Sequence, residues 1–358
     1  MRIDRRFQEL AGIELPILLA PMAGPAASEL AIAVAEAGGL AALPCALMDN
    51  DRVRAEIGII RQRTARPVNV NFFCHKPATP DAAREAGWRQ ALAPYYDEFG
   101  LDRDKVPSSD RKSFDAENCA LVEELRPEVV SFHFGLPEAA LLERVKATGA
   151  KVLSSATTVA EAKWLAERGC DAIIAQGVEA GGHRGMFLSD DIATQVGTMA
   201  LVPQVVDAVS VPVIAAGGIS DGRGIVAALA LGASAVQVGS AYLFTPEAKI
   251  AEPHRRALRE RAADNTALTN VFTGRPARGI MNRIMREVGP MSARAPQFPL
   301  AGGALAPLRA ATEPKGSGDF MSLWSGQASA LAAPHAGENA TALTRRLWAE
   351  ASALLASD

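Results

Sequence analysis

The chain has 358 residues, of which 49% are apolar, and its formal net charge at pH 7 is −3. This length and apolar content allow one large buried core, and the lack of a basic excess argues against nucleic acid as a partner. The four cysteines are scattered without a CxxC pair, which argues against a zinc knuckle or a disulfide framework and favours a cytoplasmic protein.

Short apolar segments alternate with segments of helical periodicity along the chain, and each apolar segment is predicted to be a strand. Alternating strands and helices indicate a parallel α/β sheet. The strands are apolar on both faces, so eight of them predict a closed (β/α)8 TIM barrel. The predicted strands cover 16–22, 39–45, 67–73, 129–135, 151–156, 171–176, 212–217 and 235–239.

Two other architectures are weighed against the barrel. A doubly wound open sheet usually carries a G-x-G-x-x-G turn after its first strand, but that turn reads PMAGPAAS here. Residues 225–244 are twenty residues without a charge, which is the length of a membrane span. Gly232 divides them into a helix over 224–231 and a strand, so the sequence predicts a buried unit and no membrane partner.

Two insertions interrupt the regular alternation, after the third strand (76–112) and after the eighth strand (246–324). Both leave from the carboxyl ends of strands, the face on which barrel active sites are built. We therefore expect residues 1–245 to form the ligand-binding barrel and residues 246–324 a mainly helical lid domain over it. Residues 325–358 are expected to return to the barrel.

Glycine turns follow the predicted seventh and eighth strands, which end in Gly217-Gly218 and Gly239-Ser240. Glycine exposes main-chain N–H groups, and barrels often bind a phosphate at these two loops. The two turns together predict a ligand phosphate, with packing turns as the alternative.

Amide side chains end the third and sixth strands, where Asn71 and Gln176 stand. Amides both donate and accept hydrogen bonds, as does the pyrimidine edge of a flavin ring. His183 follows in the glycine-lined turn AQGVEAGGHRG (175–185), which brings a titratable ring to the same end of the barrel. These residues predict a flavin site beside a histidine, whereas capping of backbone groups is the structural alternative for the amides.

Six segments in this order resemble the nitronate monooxygenases of the class I type: APMAG, VNVNFFCH, VVSFHFGLP, QGVEAGGHRG, GGISDGRGIVAALALGASAVQVGS and TGRPARGIMNR. The resemblance runs from about residue 16 to residue 327. It implies a barrel that binds FMN and oxidises alkyl nitronates with dioxygen to a carbonyl compound and nitrite or nitrate. It favours propionate 3-nitronate as substrate, with neutral nitroalkanes as further substrates.

The resemblance also assigns roles to residues. His183 matches the catalytic histidine. From its place after strand four, His133 is expected to line the substrate pocket, with a buried, hydrogen-bonded core position as the alternative. Ser240 stands where the family pattern has threonine, and its hydroxyl can still donate to a phosphate. The expected cofactor-binding residues are Met22, Ala23, Gly24, Asn71, Gln176, Gly181, Gly218, Gln237, Val238, Gly239 and Ser240.

The substrate side of the pocket is less well defined by sequence. The acid group of propionate 3-nitronate has three candidate partners in the second insertion, Arg275, Arg278 and Arg283. For each of them the structural alternative is a solvent-exposed position on a helix face. We expect a small-molecule substrate used with dioxygen, no metal, and either a monomer or a homodimer.

Other functions remain to be distinguished. His75, His133 and His183 follow strands three, four and six, so a metal-dependent hydrolase is an alternative. A nearer one is an FMN-dependent NAD(P)H:quinone or enoyl-thioester reductase on the same barrel. A binding module without catalysis would need no His183.

Overall fold

The computed structural model describes residues 3–109, 111–261 and 265–356. Its strands are β1 (Ile17–Leu19), β2 (Ala41–Pro44), β3 (Val68–Phe73), β4 (Val129–His133), β5 (Lys151–Ala156), β6 (Ala172–Gln176), β7 (Gly182–His183), β8 (Val213–Ala216), β9 (Ala235–Val238), β10 (Thr266–Thr269) and β11 (Ala277–Ile280). Its helices are α1 (Arg6–Ala11), α2 (Ser28–Glu36), α3 (Asn50–Arg63), α4 (Ala82–Glu98), α5 (Ala116–Leu125), α6 (Ala139–Ala147), α7 (Val159–Glu167), α8 (Thr198–Ala208), α9 (Gly222–Ala230), α10 (Glu252–Arg261), α11 (Arg283–Val288), α12 (Ala306–Thr312) and α13 (Ala340–Ala356).

Eight parallel strands form the barrel in the order β1-β9-β8-β6-β5-β4-β3-β2. The two ends of this sheet meet at Leu18 and Leu40, which form a parallel bridge. There, the Leu40 N–H donates to the Ile17 carbonyl at 2.9 Å, and the Leu19 N–H donates to the Leu40 carbonyl at 3.0 Å. The predicted (β/α)8 barrel is confirmed, and each of its strands lies within a predicted one.

Alternation along each strand decides which side chains reach the barrel interior. In β6, Ala172 and Ile174 pack inside the barrel, whereas Ile173 and Ala175 pack in the layer between the strands and the helices. Phe7 of α1 is fully buried and belongs to the interior cluster. Phe7 precedes β1 in the chain and closes the interior at the amino ends of the strands. The carboxyl ends of the strands therefore form the open mouth.

The uncharged segment 225–244 is divided as the sequence predicts. It contains most of α9, all of β9 and a 3-10 helix over Ser240–Phe244. No helix in the described part of the chain is long and apolar enough to cross a membrane.

The two insertions share an apolar core of their own. The Trp88 indole N–H donates to the Ala301 carbonyl at 3.1 Å, and the Tyr96 hydroxyl donates to the Ala304 carbonyl at 2.7 Å. Both aromatic residues come from α4 in the first insertion, and both carbonyls come from the second. The insertions are therefore packed together beside the barrel mouth.

The second insertion holds α10, α11 and α12, and it also holds a hairpin that the prediction of a mainly helical lid missed. Strands β10 and β11 pair antiparallel, and β11 also pairs with β7, so that Ala277 lies opposite His183. The hairpin escaped prediction because β11, with the sequence ARGI, is short and lacks clear alternation. The second strand that pairs with β11 is β7, which follows the barrel strand β6.

The last helix, α13, lies against the outer helices of the barrel. The Thr341 hydroxyl donates to the Ala33 carbonyl of α2 at 2.9 Å, and the Glu350 carboxylate accepts from the Gly222 N–H of α9 at 2.9 Å. These helices follow the first strand and precede the last one of the barrel. The domain limits at 245 and 324 stay predictions.

Candidate active site

A cavity of about 390 Å³ lies at the barrel mouth, beneath the insertions. It brings together every residue that the sequence assigns to cofactor, substrate or catalysis except Val238 and the three candidate arginines of the second insertion. Those lining residues are Met22, Ala23, Gly24, Asn71, His133, Gln176, Gly181, His183, Gly218, Gln237, Gly239 and Ser240.

Val238 points away from this cavity. Its side chain is fully buried in the layer between strands and helices, and its carbonyl accepts the Ala20 N–H at 2.8 Å. Strand alternation explains the difference, because Gln237 faces the barrel mouth and its successor must face outward. Only the main chain of Val238 could therefore contribute to a cofactor site, and that assignment stays a prediction.

His183 is held by groups from both the barrel and the second insertion. Its Nε2 atom lies 2.9 Å from the hydroxyl of Thr273. Four aromatic rings surround the imidazole with centroids 5.5 to 6.1 Å away, and they belong to Phe73, Phe134, Phe298 and Trp324. The ring is thus fixed in an apolar cage that opens onto the cavity.

The surroundings keep this imidazole neutral. Burial lowers the pKa of His183 well below 6.5, and the positive charges of Arg111 and Arg275 and the rings of His133 and His75 lower the pKa further. Sequence leaves two roles open for His183, a proton acceptor or a cation for an anionic substrate. The environment favours the proton acceptor.

His133 is also neutral, and its neighbours define its tautomer. Burial and the charge of Arg275 lower the pKa of His133 to about 3. Its Nε2–H donates to the His183 carbonyl at 3.2 Å, so Nδ1 accepts from the Ser155 hydroxyl at 3.0 Å. His133 therefore orients the main chain of His183 and contributes its ring to the cavity wall.

The turn that carries His183 is anchored by Arg184, whose role the sequence reasoning missed. Its guanidinium is fully buried, donates to the carbonyls of Gln176 and Gly177 at 2.6 Å, and donates to the Gln195 side chain at 2.9 Å. Burial lowers the pKa of Arg184 to about 9. The motif HRG thus pairs a cavity residue with the arginine that holds its loop.

Gln176 serves the same turn. Its Nε2–H donates to the His183 carbonyl at 3.0 Å, and its Oε1 accepts the Gly185 N–H at 2.7 Å. One N–H of this amide remains for a ligand. The structural and ligand-binding interpretations of Gln176 are thus compatible.

Amide side chains face the cavity. Gln237 Oε1 is buried and accepts no hydrogen bond from the described residues. Asn71 also lines the cavity, and it donates through Nδ2 to the Ser131 hydroxyl at 2.9 Å. A buried acceptor without a donor is costly, so Gln237 is arranged for a ligand that carries an N–H group.

The glycine turns form the other end of the cavity. Gly217 and Gly218 adopt left-handed backbone conformations with φ of +107° and +74°. The Ser240 hydroxyl accepts the Gly326 N–H at 2.8 Å, which leaves the hydroxyl hydrogen to donate elsewhere. Gly326 also lines the cavity, which the sequence reasoning did not anticipate. This end offers small residues and N–H or O–H donors to an anionic group.

Two of the three arginines proposed for a substrate carboxylate serve the protein itself. The Arg275 guanidinium lies 4.2 Å from the centroid of the Phe134 ring and donates to the Met186 carbonyl. Arg278 donates through Nε to the Val178 carbonyl at 2.8 Å. Neither residue lines the cavity, because both hold the insertion against the His183 turn.

The third, Arg283, pairs at the surface with Glu98 at 2.6 Å and Glu287 at 3.0 Å. None of these three candidate arginines lines the cavity. The first insertion instead supplies Arg111 to the cavity wall, with its Cζ 5.5 Å from the centroid of Phe298. No motif pointed to Arg111, since it lies in an irregular segment.

The three histidines considered for a metal have other partners. His75 donates through Nε2 to the Arg111 carbonyl at 2.9 Å, whereas His183 and His133 make the bonds described above. Among residues 3–109, 111–261 and 265–356, no group of three or more His, Cys, Asp or Glu side chains is placed to hold a metal ion.

Comparisons with known proteins agree on one family. A family model described as nitronate monooxygenase matches residues 4–338. A nitronate monooxygenase of Paraburkholderia phytofirmans is 43% identical over 92% of this chain and 90% of its own, and one of Pseudomonas aeruginosa is 42% identical over 91% and 94%. The solved structure of a nitroalkane oxidase from Streptomyces ansochromogenes superposes with a TM-score of 0.86 at 37% identity, over 97% of this chain and 98% of that one.

Proposed function

Since the chain belongs to the nitronate monooxygenase family and is an oxidoreductase acting on nitronates, we propose that it uses FMN as cofactor and dioxygen as oxidant. One observation carries the proposal. A single cavity joins a neutral, caged imidazole at His183 to glycine turns and to the unpaired amide oxygen of Gln237.

The residues of the cavity fit FMN. Gln237 Oε1 would accept from the single N–H of the oxidised ring, and Asn71 and the remaining Gln176 N–H would donate to ring acceptors. The turn at Gly217-Gly218 and the Ser240 hydroxyl would hold the single phosphate. A bound flavin supplies the chemistry of accepting electrons from the substrate and passing them to dioxygen.

His183 acts on the substrate proton. A neutral nitroalkane carries an acidic α C–H, and a neutral imidazole is the group that removes it. The Thr273 hydroxyl lies 3.4 Å from the Arg275 carbonyl, to which it can donate. In that arrangement His183 Nε2–H donates to Thr273 and Nδ1 is free to accept the proton.

Substrates that arrive as nitronates need no such proton transfer. We propose alkyl nitronates as the main substrates, with propionate 3-nitronate foremost, and neutral nitroalkanes as further ones. The structural similarity to a protein described as a nitroalkane oxidase supports the latter.

The cofactor and the reaction class are tested together on freshly purified protein. It should be yellow, and heat release followed by chromatography should give FMN. Under anaerobic conditions NADH should leave the flavin oxidised, whereas ethyl nitronate should bleach it. Recovery of FAD would contradict the proposed cofactor. Rapid bleaching by NADH would favour the alternative, an FMN-dependent quinone or enoyl-thioester reductase.

A further inference from the structure

A guanidinium group faces the cavity beside His183, and the described residues supply no counter-ion to it. Arg111 lines the cavity, and in the described part of the chain no carboxylate lies within 4.0 Å of it. Its contact is the ring of Phe298, with Cζ 5.5 Å from the centroid. Burial lowers the pKa of Arg111, which is the sign of a charge removed from water without full compensation.

The other cations that line the cavity are paired. Lys249 lies 3.3 Å from the Glu29 carboxylate, and Arg309 lies 2.6 Å from the Glu313 carboxylate. Burial keeps His183 and His133 neutral. Within the described lining, Arg111 is thus the unmatched positive charge at the His183 end.

The position of Arg111 relative to His183 suits a substrate with two charged ends. The Arg111 Cζ and the His183 ring centroid each lie 5.5 Å from the centroid of Phe298. The guanidinium and the imidazole therefore occupy neighbouring places in the cavity wall. A short substrate whose reacting carbon is beside His183 extends its other end to Arg111.

We propose that Arg111 binds a carboxylate at the far end of the substrate. It thereby selects nitronates in which one CH2 group separates the acid group from the reacting carbon. The planar fork of arginine matches a carboxylate through two parallel hydrogen bonds. This inference rests on the proposed nitronate oxidation and adds to it the residue that sets substrate preference.

Paired substrates test the proposal. Propionate 3-nitronate and propyl-1-nitronate share a three-carbon chain and the reacting group, and only the former has a carboxylate. Arg111→Met should lower kcat/KM for propionate 3-nitronate at least about tenfold, mainly through KM. The value for propyl-1-nitronate should change less than about twofold, because that substrate has no charge for Arg111 to bind.

Two further variants control this experiment. Arg111→Lys retains the charge without the fork and should give an intermediate loss. Lys112→Met removes a cation from the next residue, whose side chain is exposed and lies 3.8 Å from Glu117, and should leave both substrates unaffected. FMN content and circular dichroism should be unchanged in all three variants.

A binding measurement needs no turnover. Succinate has the length and the two negative ends of propionate 3-nitronate, and calorimetry should show that it binds the wild type at least about tenfold more tightly than Arg111→Met. Equal losses on the two nitronates, or equal succinate affinities, would overturn the proposal. A wild type that binds succinate through Arg111 but oxidises neither nitronate would contradict the proposed function instead.

Discussion

The Nε2 atom of His183 lies 2.9 Å from the hydroxyl oxygen of Thr273, which joins a barrel residue to the second insertion. The same insertion pairs with the His183 strand through Ala277. The barrel alone therefore does not complete this site. The insertion that covers the mouth also orients the imidazole, so changes in it are expected to alter catalysis without changing cofactor content.

Thr273→Val tests that relationship. Valine has the shape of threonine but no hydroxyl, so the imidazole loses its hydrogen-bond partner and its preferred tautomer. We expect kcat on nitroethane to fall about tenfold, with FMN content unchanged. Thr312→Val is the control, because that buried hydroxyl donates within α12 to the Leu308 carbonyl at 2.8 Å. Equal losses in both variants would mean that the Thr273 hydroxyl has only a structural role.

His183→Asn separates proton removal from other roles. Asparagine is similar in size and cannot accept a proton usefully, so kcat/KM on nitroethane should fall about a hundredfold or more. Ethyl nitronate needs no C–H cleavage and should be affected less. The two values are measured in the same variant and compared with wild type. If both substrates lose equally, His183 acts on binding or on the flavin.

His254 gives a stability prediction. Burial lowers its pKa to about 4, and its Nε2–H donates to the Trp324 carbonyl at 3.0 Å. An unfolded histidine titrates near 6.5, so the unfolded state takes up the proton first as the pH falls. This residue should therefore lower the free energy of unfolding by about 1 kcal/mol per pH unit between about pH 6.5 and 4.

His254→Gln keeps an N–H donor and removes the titration. The free energy of unfolding, measured by denaturant titration at pH 7, 6 and 5, should fall less steeply in this variant than in wild type. Identical slopes would show that His254 is not held neutral in the folded protein.

Gly218→Val should remove FMN. At φ of +74° a branched side chain is strained, and its Cβ would lie 3.6 Å from that of Glu179 at the glycine-rich end of the cavity. Gly149→Val is the matched control. Gly149 precedes β5 and has φ of +91°, and a Cβ added there would lie in open space. FMN per folded protein should fall only in Gly218→Val. Full occupancy in that variant would mean that the turn does not hold the phosphate.

The barrel and most of the cavity were predictable because they follow from periodic patterns. Strand alternation with apolar faces gives the closed sheet, and an inward-facing residue at the carboxyl end of a strand, such as Gln176, reaches the mouth. The same alternation, applied to Gln237, places the Val238 side chain outside the cavity.

The substrate side was not predictable in this way. Arg111 lies in an irregular segment, and its exposure to the cavity depends on how the two insertions pack. Arg275 and Arg278 carry the same charge and were equally plausible candidates, yet their carbonyl partners lie far away in the sequence. Tertiary contacts between distant irregular segments decided which arginine reaches the cavity.

Oxygen consumption with a nitronate tests the central claim most directly. Purified protein is placed in an oxygen electrode with propionate 3-nitronate, and nitrite plus nitrate is measured in the same sample. We predict rapid oxygen uptake with release of nitrogen oxyanion, and strong loss of uptake once FMN is removed. Absence of uptake with any alkyl nitronate, together with fast quinone reduction by NADH, would contradict the account.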